Sequence, residues 1–408
     1  MTDLAERVRA LPGLDVLLPA LEGLPPAYLV GGAVRDLLRG ADSVDLDVAI
    51  EGDAIGAARA LAERLGGEAA KEHDRFGTAT VRAGELAADL ATTRRERYEH
   101  PGALPLVEPA PLADDLARRD FTINAMALGL SGDDLGRLHD PHGGSDDLDA
   151  GVVRILHHRS FLDDPTRLLR AVRYETRLGA RMDDETEARA REAAQEGSLA
   201  TVSGPRIRDE LMDLLREQEA PTGIARLGDL GLDRALDPAL AADPELAAAA
   251  ALGSAETGAE RDLAALAALV SKAPDELEPW VERLGLGRSD RERVLAAARQ
   301  GPELVRALGA ELPPSAAHAL LRCEPPETLA LALAYGAPPE PIHRFLADLR
   351  DVRLEVTGDD LVEAGIEPGP AIGRALEETL RRKLDGEVSG REEELALALE
   401  IARREAAG

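Results

Sequence analysis

The chemistry of this sequence starts with Asp45-Leu46-Asp47, inside VDLDVAI at 44–50. Apolar and acidic residues alternate there, which is the strand period. Val44, Leu46 and Val48 then share one face, and Asp45 and Asp47 the other. Carboxylates two residues apart on a strand stand about 6–7 Å from each other along the chain. Two hard oxygen ligands at that spacing suit Mg²⁺, which combines one or two carboxylates with substrate phosphates. A solvated acidic strand face has the same pattern, so the pair alone decides little.

Other stretches carry compatible groups. In Gly31-Gly32-Ala33-Val34-Arg35-Asp36, two glycines let backbone N–H groups approach a phosphate at a helix N-terminus. Arg35 adds a charge-assisted bond, and a tight turn with a surface arginine is the alternative. Asp89, followed by Thr92, Thr93 and Arg94, either serves an attacking hydroxyl as base, completes a metal shell, or simply ends a strand. Arg118-Arg119-Asp120-Phe121-Thr122-Ile123-Asn124-Ala125 reads as the start of a helix. Arg119 suits phosphate. Asp120 and Asn124, four apart on one helix face, suit a ribose, or Asp120 is an N-cap.

In Asp163-Asp164-Pro165-Thr166-Arg167, running on to Arg173, Pro165 fits the first helical position and Asp164 the N-cap. Asp164 and Arg167 are neighbours on that helix. Arg170 and Arg173 continue the series, drifting by about 60° per step. Residues 154–181 hold seven arginines and three acids, Asp163, Asp164 and Glu175. The whole chain carries 48 basic and 77 acidic residues, a net charge of −29. Against that background the arginine excess marks a site for an anionic ligand.

These residues need elements to hold them. PAYLVGG (26–32) reads as a strand ending in a glycine turn, and AVRDLLR (33–39) as a short helix. AIGAARALAERLG (54–66) reads as a helix stopped by glycine. GTATVRA (77–83) and ELAADLATT (85–93) read as strands after a loop, Lys71–Phe76. Residues 1–150 therefore form a small mixed α/β unit on one sheet. From ILHHRSFLDDPTRLLRAVRYETRLGA onward the period is helical, with helices such as 290–300 and 374–384. GAPPEPIH and GIEPGP punctuate them as turns or linkers.

The 408 residues suggest about two to four domains. Aromatics are only 2%, so the core rests on Leu, Ala and Val. No apolar run is long enough to span a bilayer. MTDLAERVRALPGLDVLL reads as an amphipathic helix without the features of a signal peptide. Cys323 is the only cysteine, which excludes an intrachain disulfide and a multi-cysteine zinc site. The cytoplasm is the expected compartment. A net of −29 runs against the basic footprint of nucleic-acid binders, so local clusters must do any such binding. The positive charge is nearly all arginine, with Lys71, Lys272 and Lys383 the only lysines.

In order, LVGGAVRDLLRG, VDLDVAI, DLATTRRERY, RRDFTINAMA, DDPTRLLRAVRY and SGPRIRDELMDLL (203–215) resemble the bacterial class II tRNA nucleotidyltransferase and poly(A) polymerase family. TGDDLVEAGIEPGPAIG (357–373) looks like the C-terminal region of some members. The resemblance implies an α+β chain. A polymerase-β-like nucleotidyltransferase head with a five-stranded mixed sheet (1–150) leads into an all-helical neck that recognises the base (151–215). A helical body and tail (216–408) bind tRNA. It implies that Asp45 and Asp47 hold two Mg²⁺ ions, assisted by Asp89. Gly32, Arg35 and Arg119, with Gly31 in the same turn, would hold the triphosphate. Asp164 and Arg167 would read the base, with Arg170 and Arg173 nearby. Many members have Glu first and no proline where this chain has Asp163 to Arg167, so the departure falls in the segment that reads the base.

The implied reaction is attack by an RNA 3′-hydroxyl on the α-phosphate of CTP or ATP, releasing pyrophosphate without a template. CC-only, A-only and poly(A) activities share these motifs. A non-catalytic RNA-binding relative should have lost a carboxylate or the RRDF segment, and both are present. An added phosphohydrolase domain would need His-Asp dyads in the tail, which offers only His318 and His343. An antibiotic-modifying nucleotidyltransferase would leave the long helical tail unexplained.

Overall fold

The computed structural model describes residues 4–42 and 45–407. They fall into two compact units, Met1–Pro238 and Ala239–Gly408. The first opens with helices α1 (Leu4–Ala10) and α2 (Leu14–Ala20), strand β1 (Ala27–Val30), helix α3 (Gly32–Leu38), strand β2 (Leu46–Ile50) and helix α4 (Ala54–Leu65). Strands β3 (Glu68–His73), β4 (Thr78–Ala83) and β5 (Leu86–Thr92) follow. A ribbon of β6 (Arg94–Arg97) and β7 (Leu106–Pro109) leads to helix α5 (Leu112–Ala117), then β8 (Ala127–Gly129) and β9 (Leu138–His139). Helices α6 (Gly144–Ala150), α7 (Ser160–Asp163), α8 (Arg167–Leu178), α9 (Asp184–Gln195) and α10 (Gly204–Arg216) come next.

The sheet is mixed and seven-stranded, in the order β3-β4-β5-β2-β1-β8-β9. β2 and β5 are parallel and the other named pairs antiparallel. Five strands were expected. The stretch read as loop Lys71–Phe76 begins inside the edge strand β3, whose EAAKEH sequence has little β-propensity and is held by its pairing with β4.

The alternation in β2 does what it predicts. Leu46, Val48 and Ile50 join the core with Leu29, Val81, Leu90, Leu14, Leu17 and the α4 residues Ala54, Ala58 and Leu61. The opposite face carries Asp47 and Ala49. There α5 closes one end, with Leu112 and Leu116 on Val30, Ala49 and Ala127. The acidic end stays open. Val44, expected on the core face, lies outside the described residues, as do residues 1–3 of the expected N-terminal helix. The rest of that helix is two helices, because Gly13 takes φ 84° after Pro12. α4 ends as read, with Asp53 accepting from Gly56 N at 3.0 Å and Gly66 left-handed.

Two helix starts differ from expectation. RRDFTINA does not begin a helix. It follows α5, which LADDLA forms first, and only Thr122–Asn124 make a 3₁₀ turn. Asp120 is no N-cap, because its carboxylate serves a buried network. The expected helix with Pro165 first begins instead at Arg167. The preceding turn is tight, with Arg167 N on Asp164 O and Leu168 N on Pro165 O, both 3.1 Å. Asp164 caps that turn through Thr166 N at 3.1 Å and Thr166 Oγ1 at 2.7 Å. Residues 154–159 are not helical either.

The second unit is helical. The segments 290–300 and 374–384 lie in the helices Arg288–Leu308 and Pro370–Leu384. GIEPGP is a turn up to Pro370, which opens the second of these helices, and within GAPPEPIH a helix starts at Pro339. The fully buried Glu327 accepts from Glu260 N and Arg293 Nε, each at 2.9 Å. Among the described residues no helix is long and apolar enough to cross a membrane. Cys323 is exposed and free.

A Cβ on Gly129 would stand 2.1 Å from the Asp134 carbonyl oxygen, where β8 pairs with β1. Gly129→Ala should therefore destabilise the first unit by about 1–3 kcal/mol, read as a lowered midpoint in thermal or urea unfolding.

Candidate active site

A cleft of about 550 Å³ in the first unit collects most of the residues singled out above. The β1–α3 turn contributes Gly31, Gly32 and Arg35. β2 and the residue before it supply Asp47 and Asp45. Arg119, Asp120 and Asn124 come from the segment after α5, and Asp164, Arg167 and Arg170 from the start of α8. Asp89 and Arg173 are not in this lining.

Asp89 stands behind the floor. It is the register partner of Asp47 on β5, and it accepts from Thr80 Oγ1 at 2.5 Å. It lines a second cavity, of about 720 Å³, that shares Asp45 and Asp47 with the first. Asp47 is exposed as a residue, but its carboxyl is crowded. Burial of the carboxyl, then the charges of Asp89 and Asp45, raise its pKa, and Arg119 opposes them. That mutual repulsion is what a bound cation relieves. Among the described residues no cluster of three or more His, Cys, Asp or Glu is arranged to hold a metal. The donor set suits a hard cation that takes its remaining oxygens from phosphate and water rather than a closed protein cage.

The glycine turn is demanded by its conformation and its neighbour. Gly31 has φ 66°, and a Cβ there would lie 2.7 Å from Arg119 Nη1. Arg119 is held by Asp115 Oδ2 at 2.9 Å, and its buried Nε has no partner. Arg35 is 3% exposed. It donates to Asp36 through Nε and Nη2, both at 2.9 Å, and to Asn124 Oδ1 at 2.7 Å. Asn124 Nδ2 donates to Asp120 Oδ1 at 3.0 Å. Arg170 reaches Asp120 Oδ2 with Nη2 at 2.7 Å and Nε at 3.0 Å, and Glu210 with Nη1 at 3.0 Å. Arg35, Asn124, Asp120 and Arg170 are thus one continuous network.

Asp164 and Arg167 both border the cleft but bond elsewhere. Arg206 donates to Asp164 at 2.8 Å. Arg167 donates to Ser160 Oγ and to the Arg118 carbonyl, each at 2.8 Å. The arginine excess at 154–181 is largely balanced by acids from elsewhere in the chain. Arg173 meets Asp213 at 2.6 Å and Glu210 at 3.5 Å, and Arg154 holds Asp147 and Asp183.

Several contributors were missed. The Tyr174 ring lies under the guanidinium carbons of Arg35, Arg170 and Arg173, at 5.2, 5.7 and 5.7 Å, a cation–π arrangement. Asp115, 1% exposed, holds Arg118 at 2.8 Å and Arg119 at 2.9 Å. Burial pushes its pKa up, but the two guanidinium charges win and lower it. Its i, i+3 and i, i+4 spacing to the two arginines was a usable signal. Glu96 and Tyr98, from β6 and just beyond it, also line the cleft, and nothing local marked them.

Sheet, glycine turn, carboxylate floor and arginine wall together define a nucleotidyltransferase head. Residues 27–154 match the poly(A) polymerase head domain, and residues 179–243 match the probable RNA and SrmB-binding site of polymerase A. A CC-adding tRNA nucleotidyltransferase of Deinococcus radiodurans is 35% identical over 90% of this chain and 87% of its own length. Two Halalkalibacterium halodurans enzymes match over about half of the chain. The A-adding one is 47% identical over 51% of this chain and 49% of its own, and the CC-adding one 36% identical over 50% and 48%. This chain spans less than half the length of the A-adding relatives it matches. A solved CCA-adding enzyme in an apo form superposes with a TM-score of 0.85, at 33% identity, covering 98% of both chains. CCA-adding enzymes that superpose on this chain were also solved with CTP, with ATP and with tRNA. The chain belongs to the tRNA nucleotidyltransferase and poly(A) polymerase family, whose chemistry uses divalent metal.

Burial alone would raise the Asp120 pKa, but Arg170, with the bonds from Asn124 and Arg170, lowers it to about 2 from 3.8. A depressed carboxylate stabilises the fold above its unfolded pKa and loses that contribution as pH falls through the folded one. The first unit should therefore lose on the order of 2 kcal/mol between about pH 4 and pH 2 from this group. In urea unfolding across that range, Asp120→Asn should be less stable at pH 7 and show a flatter acid limb.

Proposed function

We propose that this protein is a template-independent nucleotidyltransferase that adds C and A from CTP and ATP to the 3′ end of tRNA. The observation that carries the reading is the joining of Asp45 and Asp47, the Gly31–Gly32 turn and the Asp164–Arg167 wall in one cleft. Asp45 and Asp47 would hold Mg²⁺, with Asp89 behind them. Bound there, it supplies Lewis-acid activation of the 3′-hydroxyl and charge neutralisation on the leaving pyrophosphate.

The chain's own groups do the rest. The backbone N–H of Gly32, in the first turn of α3, and the Arg119 guanidinium take triphosphate oxygens; the Gly31 N–H is spent on the Met126 carbonyl at 3.3 Å, and Arg35 holds the turn in shape. Asp164 accepts from the exocyclic amine of C or A, and Arg167 donates to ring acceptors. U and G lack that pattern on the same edge and are rejected. Arg170 and Arg173 anchor α8 to α10. Asp120 and Asn124 border the ribose position. In this reading residues 1–150 are the catalytic head, 151–215 read the base, and 216–408 grip tRNA by shape and backbone. The cytoplasm is its compartment, consistent with one free cysteine.

A-only addition is the second reading. It is favoured by the higher identity to the A-adding than to the CC-adding enzyme of Halalkalibacterium halodurans over similar lengths. One assay separates them. Purified protein is given Mg²⁺ and CTP, ATP or both, with tRNAs ending before CCA, after C and after CC. CCA addition extends all three. An A-only enzyme extends only the CC-ended tRNA, a CC-only enzyme stops before A, and a poly(A) polymerase makes long tails. Asp45→Ala with Asp47→Ala should abolish incorporation while leaving the melting temperature near wild type. No incorporation by wild type, or retained activity in the double variant, sinks the proposal.

A further inference from the structure

Lys71 is the one described non-glycine residue with a positive φ, at 50°. It sits in a β-bulge of β3. Ala70 pairs with Thr80 and His73 with Thr78, so β3 spends one residue more than β4 across that interval. Such bulges put a residue in the left-handed region, where glycine is at home and a lysine is not. Strain of this kind persists where the surroundings impose it, and it gathers at working sites.

The bulge sorts two adjacent charges. Glu72 is tied to Arg59 on α4, at 2.9 and 2.5 Å. Lys71 borders both cavities that contain Asp47 and Asp89. The other two lysines are in ion pairs, Lys272 with Asp243 at 2.7 Å and Lys383 with Glu394 at 2.5 Å. Among the described residues Lys71 has no ion-pair partner. A cation that lines the same cavities as two carboxylates, in an acidic protein, and forms an ion pair with neither is available to another anion.

The 720 Å³ cavity lies on the β5 side of Asp45 and Asp47, and the nucleotide cleft on the other. Among the described residues its cations are Lys71 and Arg82, set against Asp15, Glu85 and the three aspartates. A polyanion entering it meets net repulsion everywhere except at those two side chains. We propose that Lys71 binds a backbone phosphate next to the 3′ end of the acceptor RNA. It thereby brings that end to Asp89, opposite the nucleotide. The inference rests on the reaction proposed above.

The test uses the full-length enzyme with tRNA lacking its terminal nucleotides. Lys71→Met and Lys71→Gly should each raise KM for the tRNA about tenfold, as expected for one lost charge-assisted phosphate contact. KM for CTP and ATP should stay unchanged. The salt dependence of log KM for tRNA should shallow by about 0.7, the single-strand value per phosphate. Lys71→Arg should restore most of the affinity. Lys71→Gly, freed of strain, should melt no lower than wild type, which separates lost contact from lost fold. An unchanged tRNA KM, or a rise confined to nucleotide KM, overturns the inference alone. A wild-type protein that extends no tRNA overturns it together with the reaction.

Discussion

Asp120 is a buried carboxylate, and much of the first unit is arranged around keeping it charged. An unpaired charge at such a depth costs several kcal/mol. Here Arg170, Asn124 and the backbone N–H of Phe121 all donate to it. Each partner carries the constraint outward. Asn124 fixes Arg35 at the start of α3, and Arg170 fixes α8 against Glu210 of α10. One ion thereby links the glycine turn to the helix that begins at Arg167, just after the turn that carries Asp164. Its partners are themselves largely enclosed, so the cleft walls have little freedom to relax.

The same economy governs the remaining charge. The chain has 77 acids for 48 bases, and most arginines near the cleft are committed to carboxylates. What stays uncommitted is small and localised. The Nε of Arg119 faces inward without a partner, and Lys71 stands on its bulge. Across from them burial, then the charges of Asp89 and Asp45, raise the pKa of Asp47. In the proposed reaction, a floor of repelling carboxylates beside a few cations would take a metal ion and a phosphate together. Net charge is thus a poor guide to this protein's partners, because the short-range pattern outweighs a sum over the whole surface.

Much of the site was readable from local patterns. The period of VDLDVAI placed Asp45 and Asp47 on a face away from Leu46 and Val48, and the Gly31–Gly32 turn fell where a strand meets a helix. The errors share a cause. An N-cap is one sequence reading of Asp120, because Asp before an apolar helical stretch usually is one. Asp120 instead answers to Arg170, fifty positions away. β3 was read as partly loop because its residues have no β preference, and its pairing with β4 overrode that. Tyr174 and Glu96 carried no local mark, since their roles come from what surrounds them.

By itself the sequence determined which residues could do chemistry and, on β2, that Asp47 lies opposite Leu46 and Val48, because the strand period acts over a few residues. It also determined the family, through motifs kept in order. Only the tertiary structure decided which charges are spent on one another and which are left for a ligand. The seven arginines at 154–181 read as one anion site, yet Arg154, Arg170 and Arg173 are struts that Asp147, Asp120, Glu210 and Asp213 close on. Coulomb pairing in a low-dielectric interior depends on distance in space, and separation along the chain does not reveal it.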